Sequence, residues 1–216
     1  GSEMCIRDRF TSPINIAIPS GNFGNAYSAW FGRDNGLSIN EIFCASNVND
    51  VLTRFISSGK LEPKETIPSV APSMDIQIPS SLERLIYNLE GEASSFYDQL
   101  QSEKIANLTE ESTVKLQNIF SSLSFDDEMI LKEIELFYKN YGWIIDPHTA
   151  TALSSSTSFS SNLPVVGVAT ASPEKFSDVI SKIIDEFIVE NKKNEEKFLV
   201  QKANSSLVEN TIKEQL

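Results

Sequence analysis

Positive charge is scarce in this sequence. Eighteen Lys and Arg stand against thirty Asp and Glu, a net charge of −12. Nucleic acids and anionic membranes both require a positive surface, so neither is expected as a partner. Sulfur chemistry is scarce too. The two cysteines, Cys5 and Cys44, have no zinc-ligand spacing and suggest a reducing compartment. No metal site is expected. No apolar run approaches the ~18 residues of a membrane span. The stretch Ile6–Phe10 is charged where a secretory signal would be apolar, which leaves the cytoplasm as the default compartment. The dinucleotide fingerprint G-x-G-x-x-G is also missing. A single histidine, His148, is present.

What the chain does have is enough apolar residue for a real core, 40% of 216 positions. It is organised around residues 14–27. Ile14 to Ile18 reads as a short buried strand. Pro19 and Gly21 break it, and Gly24-Asn25 opens a helix from Ala26 to Arg33. A strand that turns through glycines into a helix N-terminus is an anion site in principle. Glycine permits close approach and positive φ, and the first-turn N–H groups point at the ligand. An ordinary tight turn between strand and helix is the competing reading. Tyr27, Trp30 and Phe31 are expected on the core side of the helix.

Strand and helix alternate from there. Ile39–Ala45 reads as a strand, and Asn49 or Asp50 caps a helix that ends at Ser57-Ser58-Gly59. This alternation predicts an α/β fold, a parallel sheet with flanking helices. Ser80 or Ser81 caps a helix with Leu82, Leu85, Ile86 and Leu89 on one face. Helical pieces are expected at Ala93–Ile105 and Glu110–Phe120, the latter started by Thr109. Asp126-Asp127-Glu128 opens an amphipathic helix ending at Tyr141-Gly142. Trp143–Ile145 is expected as a short strand, and Asp146-Pro147-His148-Thr149-Ala150 turns into a further helix. Pro164–Thr170, valine-rich and uncharged, reads as a strand buried on both faces. Ser172 and Pro173 then start a helix to about Asn191. In such sheets ligands sit at the carboxyl ends of strands, where Thr170 falls. Three residues keep two readings each. Arg54 could grip phosphate or make a salt bridge. Asp75 could be a functional carboxylate or a turn former. His148 could be a base or structural.

Several of these stretches share one family's letters. Ser20-Gly21-Asn22-Phe23-Gly24-Asn25 resembles the phosphate-binding loop of threonine synthases, pyridoxal-phosphate (PLP) enzymes of the tryptophan-synthase-β-like fold type II. Ala45-Ser46-Asn47-Val48-Asn49-Asp50 through Phe55 resembles a second segment of that family. Ser73-Met74-Asp75 with Pro79-Ser80-Ser81-Leu82-Glu83-Arg84 resembles a third. Asp146-Pro147-His148-Thr149-Ala150 matches the Pro-His-x-Ala signature. Ala169-Thr170-Ala171-Ser172-Pro173-Glu174-Lys175-Phe176 is similar to Gly-Thr-Ala-His-Pro-x-Lys-Phe, with Ala169 in place of glycine and Ser172 in place of histidine. Ala169 is expected to crowd that turn slightly. Residues 196–200 and 206–215 look like the family's C-terminal strand and helix.

The resemblance implies a partial fold type II unit, with PLP as cofactor. Gly21, Asn22, Phe23, Gly24 and Asn25 would hold the cofactor phosphate, and Thr170 would meet the ring nitrogen. The parent reaction would convert O-phosphohomoserine and water to L-threonine and phosphate. The alternatives are another fold type II lyase, of serine/threonine dehydratase or cysteine synthase type, or a non-catalytic PLP- or phosphate-binding remnant. In the family the Schiff-base lysine lies upstream, in a Ser-Phe-Lys-Asp-like motif. No lysine here, from Lys60 onward, sits in such a motif, so no catalytic residue is assigned. Residues 13–216 are therefore expected to be the C-terminal PLP-binding portion, partnered by a missing N-terminal half and inactive alone. A variable helical insert is expected at about 90–127. Residues 1–12, with Gly1-Ser2 reading as a cloning scar, are expected to be non-native or a truncated start.

Overall fold

The computed structural model describes residues 13–159 and 161–183. Four parallel strands form the main sheet: β1 (Ile14–Pro19), β2 (Ile39–Ser46), β5 (Phe120–Ser124) and β6 (Val165–Gly167), in the order β5-β2-β1-β6. A second, antiparallel pair joins β3 (Lys60–Leu61) to β4 (Ala106–Asn107). Eight α-helices accompany them among the described residues: α1 (Gly24–Asp34), α2 (Val51–Ser58), α3 (Leu82–Glu90), α4 (Ser94–Glu103), α5 (Glu110–Ile119), α6 (Asp127–Tyr141), α7 (Pro147–Ser154) and α8 (Ser177–Ile180). The expected α/β architecture is the one found. No helix among the described residues is long and apolar enough to cross a membrane.

The side-chain alternation of the strands builds two cores. Ile14, Ile16, Ile18, Ile42 and Cys44 face a cluster with Ala26, Val51, Leu52, Phe55, Leu82, Leu85 and Leu116. Phe43 and Ala45 point the other way, into a cluster with Ile130, Ile134, Ala150 and Ile180. Helices thus cover both faces, as a parallel sheet requires. β1 pairs with β2 on one side and β6 on the other. α1, which leads from β1 to β2, packs on the first face, while α7, which precedes β6, packs on the second. The chain therefore changes side at β1, and the crevice beyond its carboxyl end is the topological switch point where open α/β sheets bind ligands.

Some helix ends follow the chemistry of their letters, though Ser81 makes no side-chain cap bond at the start of α3. Asp126 accepts from Met129 N, Thr109 from Ser112 N, and Gly59 and Gly142 close α2 and α6 at φ 71° and 69°. Asp50 stands at the N-cap of α2, but its carboxylate bonds to Arg54 instead of capping.

Several expectations are corrected. Trp143–Ile145 is not a strand. The segment runs directly from the left-handed Gly142 into the N-cap Asp146, and its isoleucines are only partly buried against the second cluster. The Pro164–Thr170 strand is shortened to three residues and is not buried on both faces. β6 lies at the sheet edge and pairs with β1 alone, so Val166 is 43% exposed. Phe120–Ser124, expected to hold only the end of a helix, is β5; its side chains carry no alternating pattern, yet it pairs with Ile42–Ser46. Phe31 is exposed instead of core-facing, stacked on Tyr27 at 6.3 Å. After Pro173 the chain forms a 3-10 turn (Pro173–Phe176) before α8. The expected continuation to Asn191, the C-terminal strand and helix, and residues 1–12 lie outside the described residues.

Candidate functional site

The loop between β1 and α1 is built by two constraints that differ from the expected glycine φ angles. Neither Gly21 nor Gly24 adopts positive φ; Phe23 does, at 69°. Its ring is 1% exposed and meets Phe120 edge-on at 5.1 Å. Burial of the ring holds a backbone conformation that costs an L-residue roughly 1–2 kcal/mol. Gly21 is required for space instead. A Cβ there would lie 2.9 Å from Met74 Cα and 3.0 Å from the Ser73 carbonyl oxygen, both backbone atoms. Gly24 has room, its nearest neighbour being Ser81 Oγ at 3.6 Å.

The turn ends in the N-terminus of α1. Tyr27 N–H donates to Phe23 O at 2.9 Å. The N–H groups of Gly24, Asn25 and Ala26 precede that bond and have no intrahelical acceptor, so the positive end of the helix is presented here. Asn22 anchors the loop laterally: its Oδ1 accepts from Ser80 N and Oγ at 3.3 Å, and its carbonyl accepts from Ser81 N at 3.1 Å.

All six residues expected to bind a cofactor line one cleft. Gly21, Asn22, Phe23, Gly24, Asn25 and Thr170 surround it with Ser73, Met74 and His148, in a volume of about 230 Å³. That is below the ~300–1,000 Å³ of a complete small-molecule pocket. Among the described residues, none that lines it is a lysine. Ala169 beside Thr170 is exposed, so its methyl does not crowd the turn as expected.

Sequence reasoning left His148 open and did not place Ser73 or Met74 at the site. The only signal for them was the likeness of Ser73-Met74-Asp75 to a family segment. His148 is 3% exposed, and both its ring nitrogens are engaged. Ser73 N–H donates to Nε2 at 3.2 Å, and Nδ1 lies 2.9 Å from Asp146 Oδ1. A histidine so engaged has no nitrogen left for general-base work. Asp146 also accepts from the backbone N–H groups of His148 and Thr149 and from the Thr149 hydroxyl. Burial alone would raise its carboxyl, but these hydrogen bonds outweigh burial and hold it below the usual carboxylate range.

The other two open residues serve structure. Asp75 Oδ1 accepts from Asn47 Nδ2 (2.7 Å), Asn49 Nδ2 (3.0 Å) and Ser69 Oγ (2.7 Å), and Oδ2 accepts from Ser69 N (3.0 Å). It pins the loop after β3 to the end of β2. Arg54 pairs with Asp50 at 2.9 Å and donates to the Glu62 carbonyl at 2.8 Å, away from the cleft. Behind the cradle, the Cys44 thiol is pushed up to about 12 by burial, a nearby Ser20 hydroxyl opposing. It is a core group without nucleophilic character at neutral pH.

No protein-family model matches the chain. Threonine synthase of Pseudomonas aeruginosa is 30% identical over 175 residues, which take in 78% of this chain and 37% of that protein. The structure of PLP-bound threonine synthase from Brucella melitensis superposes with a TM-score of 0.77 at 28% identity, covering 81% of this chain and 39% of that one. The yeast threonine synthase structure gives 0.79 at 25% identity, covering 85% and 41%. The chain thus spans well under half the length of these relatives.

A parallel sheet with a glycine turn and a helix N-terminus at its switch point, superposing on these structures, places the chain in the fold type II class. Within that class it is a relative of threonine synthase and corresponds to part of one.

Proposed function

We propose that this chain supplies the phosphate cradle and ring-nitrogen partner of a PLP site in a cytoplasmic threonine synthase, which converts O-phosphohomoserine and water to L-threonine and phosphate. The observation that carries the reading is the convergence of Gly21–Asn25 and Thr170 on one cleft beyond β1. The residues fit the cofactor. Phosphate suits the N–H groups of Gly24, Asn25 and Ala26 and the adjacent helix dipole. A side chain at Gly21 would collide with the Ser73–Met74 backbone, and without one that turn closes against the loop. Thr170 is exposed at the rim and can offer its hydroxyl to a ring nitrogen. A hydroxyl, unlike a carboxylate, does not enforce protonation of that nitrogen. When bound, PLP supplies the electron sink for carbanion chemistry.

The chain's own groups bind and orient. His148, committed on both ring nitrogens, shuttles no proton in this reading. The cleft is smaller than a complete small-molecule pocket, and none of the described residues lining it is a lysine, which supports a site completed by further residues, in an N-terminal half that would carry the Schiff-base lysine and the remaining substrate contacts. The same observation favours a second reading, a PLP- or phosphate-binding unit without turnover. The test has two parts. Equilibrium dialysis of the 216-residue chain should show binding of PLP that inorganic phosphate competes away and that pyridoxal, lacking the phosphate, does not reproduce. Phosphate release from O-phosphohomoserine should be absent for this chain and present for a protein carrying the lysine-bearing portion as well. Binding with no release in either preparation supports the second reading. Absence of PLP binding overturns both.

A further inference from the structure

We propose that His148 is a positioning residue for the anion cradle and acts on it through the Ser73–Met74 turn. The inference rests on the reading of this cleft as a phosphate site. A backbone N–H can only donate, so the 3.2 Å contact from Ser73 N makes His148 Nε2 an acceptor. The ring proton is then on Nδ1 and is donated to Asp146 Oδ1 at 2.9 Å. Asp146 is fixed in turn by the first residues of α7, which it caps. Phe176 lies against the imidazole at 4.9 Å between ring centres. The acceptor is therefore held rigidly, with its lone pair aimed at the turn.

The turn itself is the wall of the cradle opposite Gly21. Ser73 O and Met74 Cα leave no room for a Cβ there. The same loop is also held by Asp75, through Asn47, Asn49 and Ser69. Three stretches far apart in sequence, 47–49, 73–75 and 146–148, thus converge on one short 3-10 turn (Pro72–Met74). The His148 bond is the part of this clamp on the cleft side, since His148 lines the cleft. Its loss would let Ser73 and Met74 withdraw from Gly21 and widen the cradle.

The test compares wild type, H148A and H148Q, all as the 216-residue chain. The glutamine Oε1 can reach the Nε2 position and accept from Ser73 N–H. Two quantities are read: the dissociation constant for PLP by equilibrium dialysis, and the hydrogen-exchange rate of the Ser73 amide without ligand. A lost hydrogen bond of ordinary strength corresponds to about tenfold or less. H148A should therefore weaken PLP binding by roughly three- to tenfold and speed Ser73 exchange by a similar factor. H148Q should restore both to within about twofold of wild type. Equal PLP affinity in wild type and H148A overturns the inference. So does H148Q matching H148A in affinity while Ser73 stays protected, because the acceptor would then be present without effect. A wild-type chain that does not bind PLP overturns the underlying reading and the inference with it.

Discussion

Gly21 and Met74 meet backbone to backbone: a Cβ on the first would lie 2.9 Å from the Cα of the second. Nothing flexible stands between them, so Gly21→Ala must displace either the cradle loop or the Pro72–Met74 turn. Gly24 is three residues away in the same motif, with Ser81 Oγ at 3.6 Å. The two glycines should therefore respond differently. Gly21→Ala is expected to lower stability by about 1–3 kcal/mol, as for other overpacked sites. Gly24→Ala should change it by less than about 1 kcal/mol. Urea unfolding of both variants checks this. Equal effects would mean that the close approach does not constrain the loop.

The contrast also shows what could be read from the letters. The strand, turn and helix start of residues 14–25 were legible because each leaves a local signature, and Thr170 lines the same cleft. The reason for the glycine was not legible. Its constraint comes from Ser73 and Met74, some fifty residues on, and no local pattern records it. β5 escaped for a similar reason, since Phe120–Ser124 is strand only because Ile42–Ser46 offers it a parallel edge. Trp143–Ile145 erred the opposite way, with strand-forming letters and no partner. His148 was visible as a rare residue, but its role depends on a hydrogen bond from Ser73 that spans 75 positions.

Phe23 gives a test whose sign is informative. It sits at φ 69° with its ring buried to 1% exposure. Phe23→Ala and Phe23→Gly remove the same ring, and large-to-small changes of this kind cost about 3–5 kcal/mol. Glycine alone is then freed of the left-handed penalty, roughly 1 kcal/mol. Phe23→Gly should therefore be the more stable of the two by about that amount, the reverse of their usual order in regular structure. Denaturant unfolding of the pair decides it. A less stable glycine variant would show that φ at this position relaxes once the ring is gone.

Asp146 supplies the pH dependence. Burial works to raise its carboxyl, yet the bonds from His148 and Thr149 keep it below the ordinary range. In the unfolded chain it titrates near ~3.9. A carboxyl depressed on folding stabilises fully above the unfolded value. That contribution is lost as pH falls from there through the folded value, because the unfolded chain takes up the proton first. Stability should thus drop with acid below about pH 5. Asp146→Asn should lower stability at pH 7 by about 0.5–2 kcal/mol, since one amide oxygen replaces a carboxylate that accepts at both ends. It should also flatten the acid decline. Glu92, held at about 2 by Ser94 and Ser95, and Glu111, lowered by Lys115, are exposed and add the same slope to both proteins. The measurement is urea unfolding at pH 7, 5 and 3.5 for wild type and variant. Curves that stay parallel down to the lowest pH would mean that the Asp146 carboxylate is not held charged by its His148 and Thr149 partners.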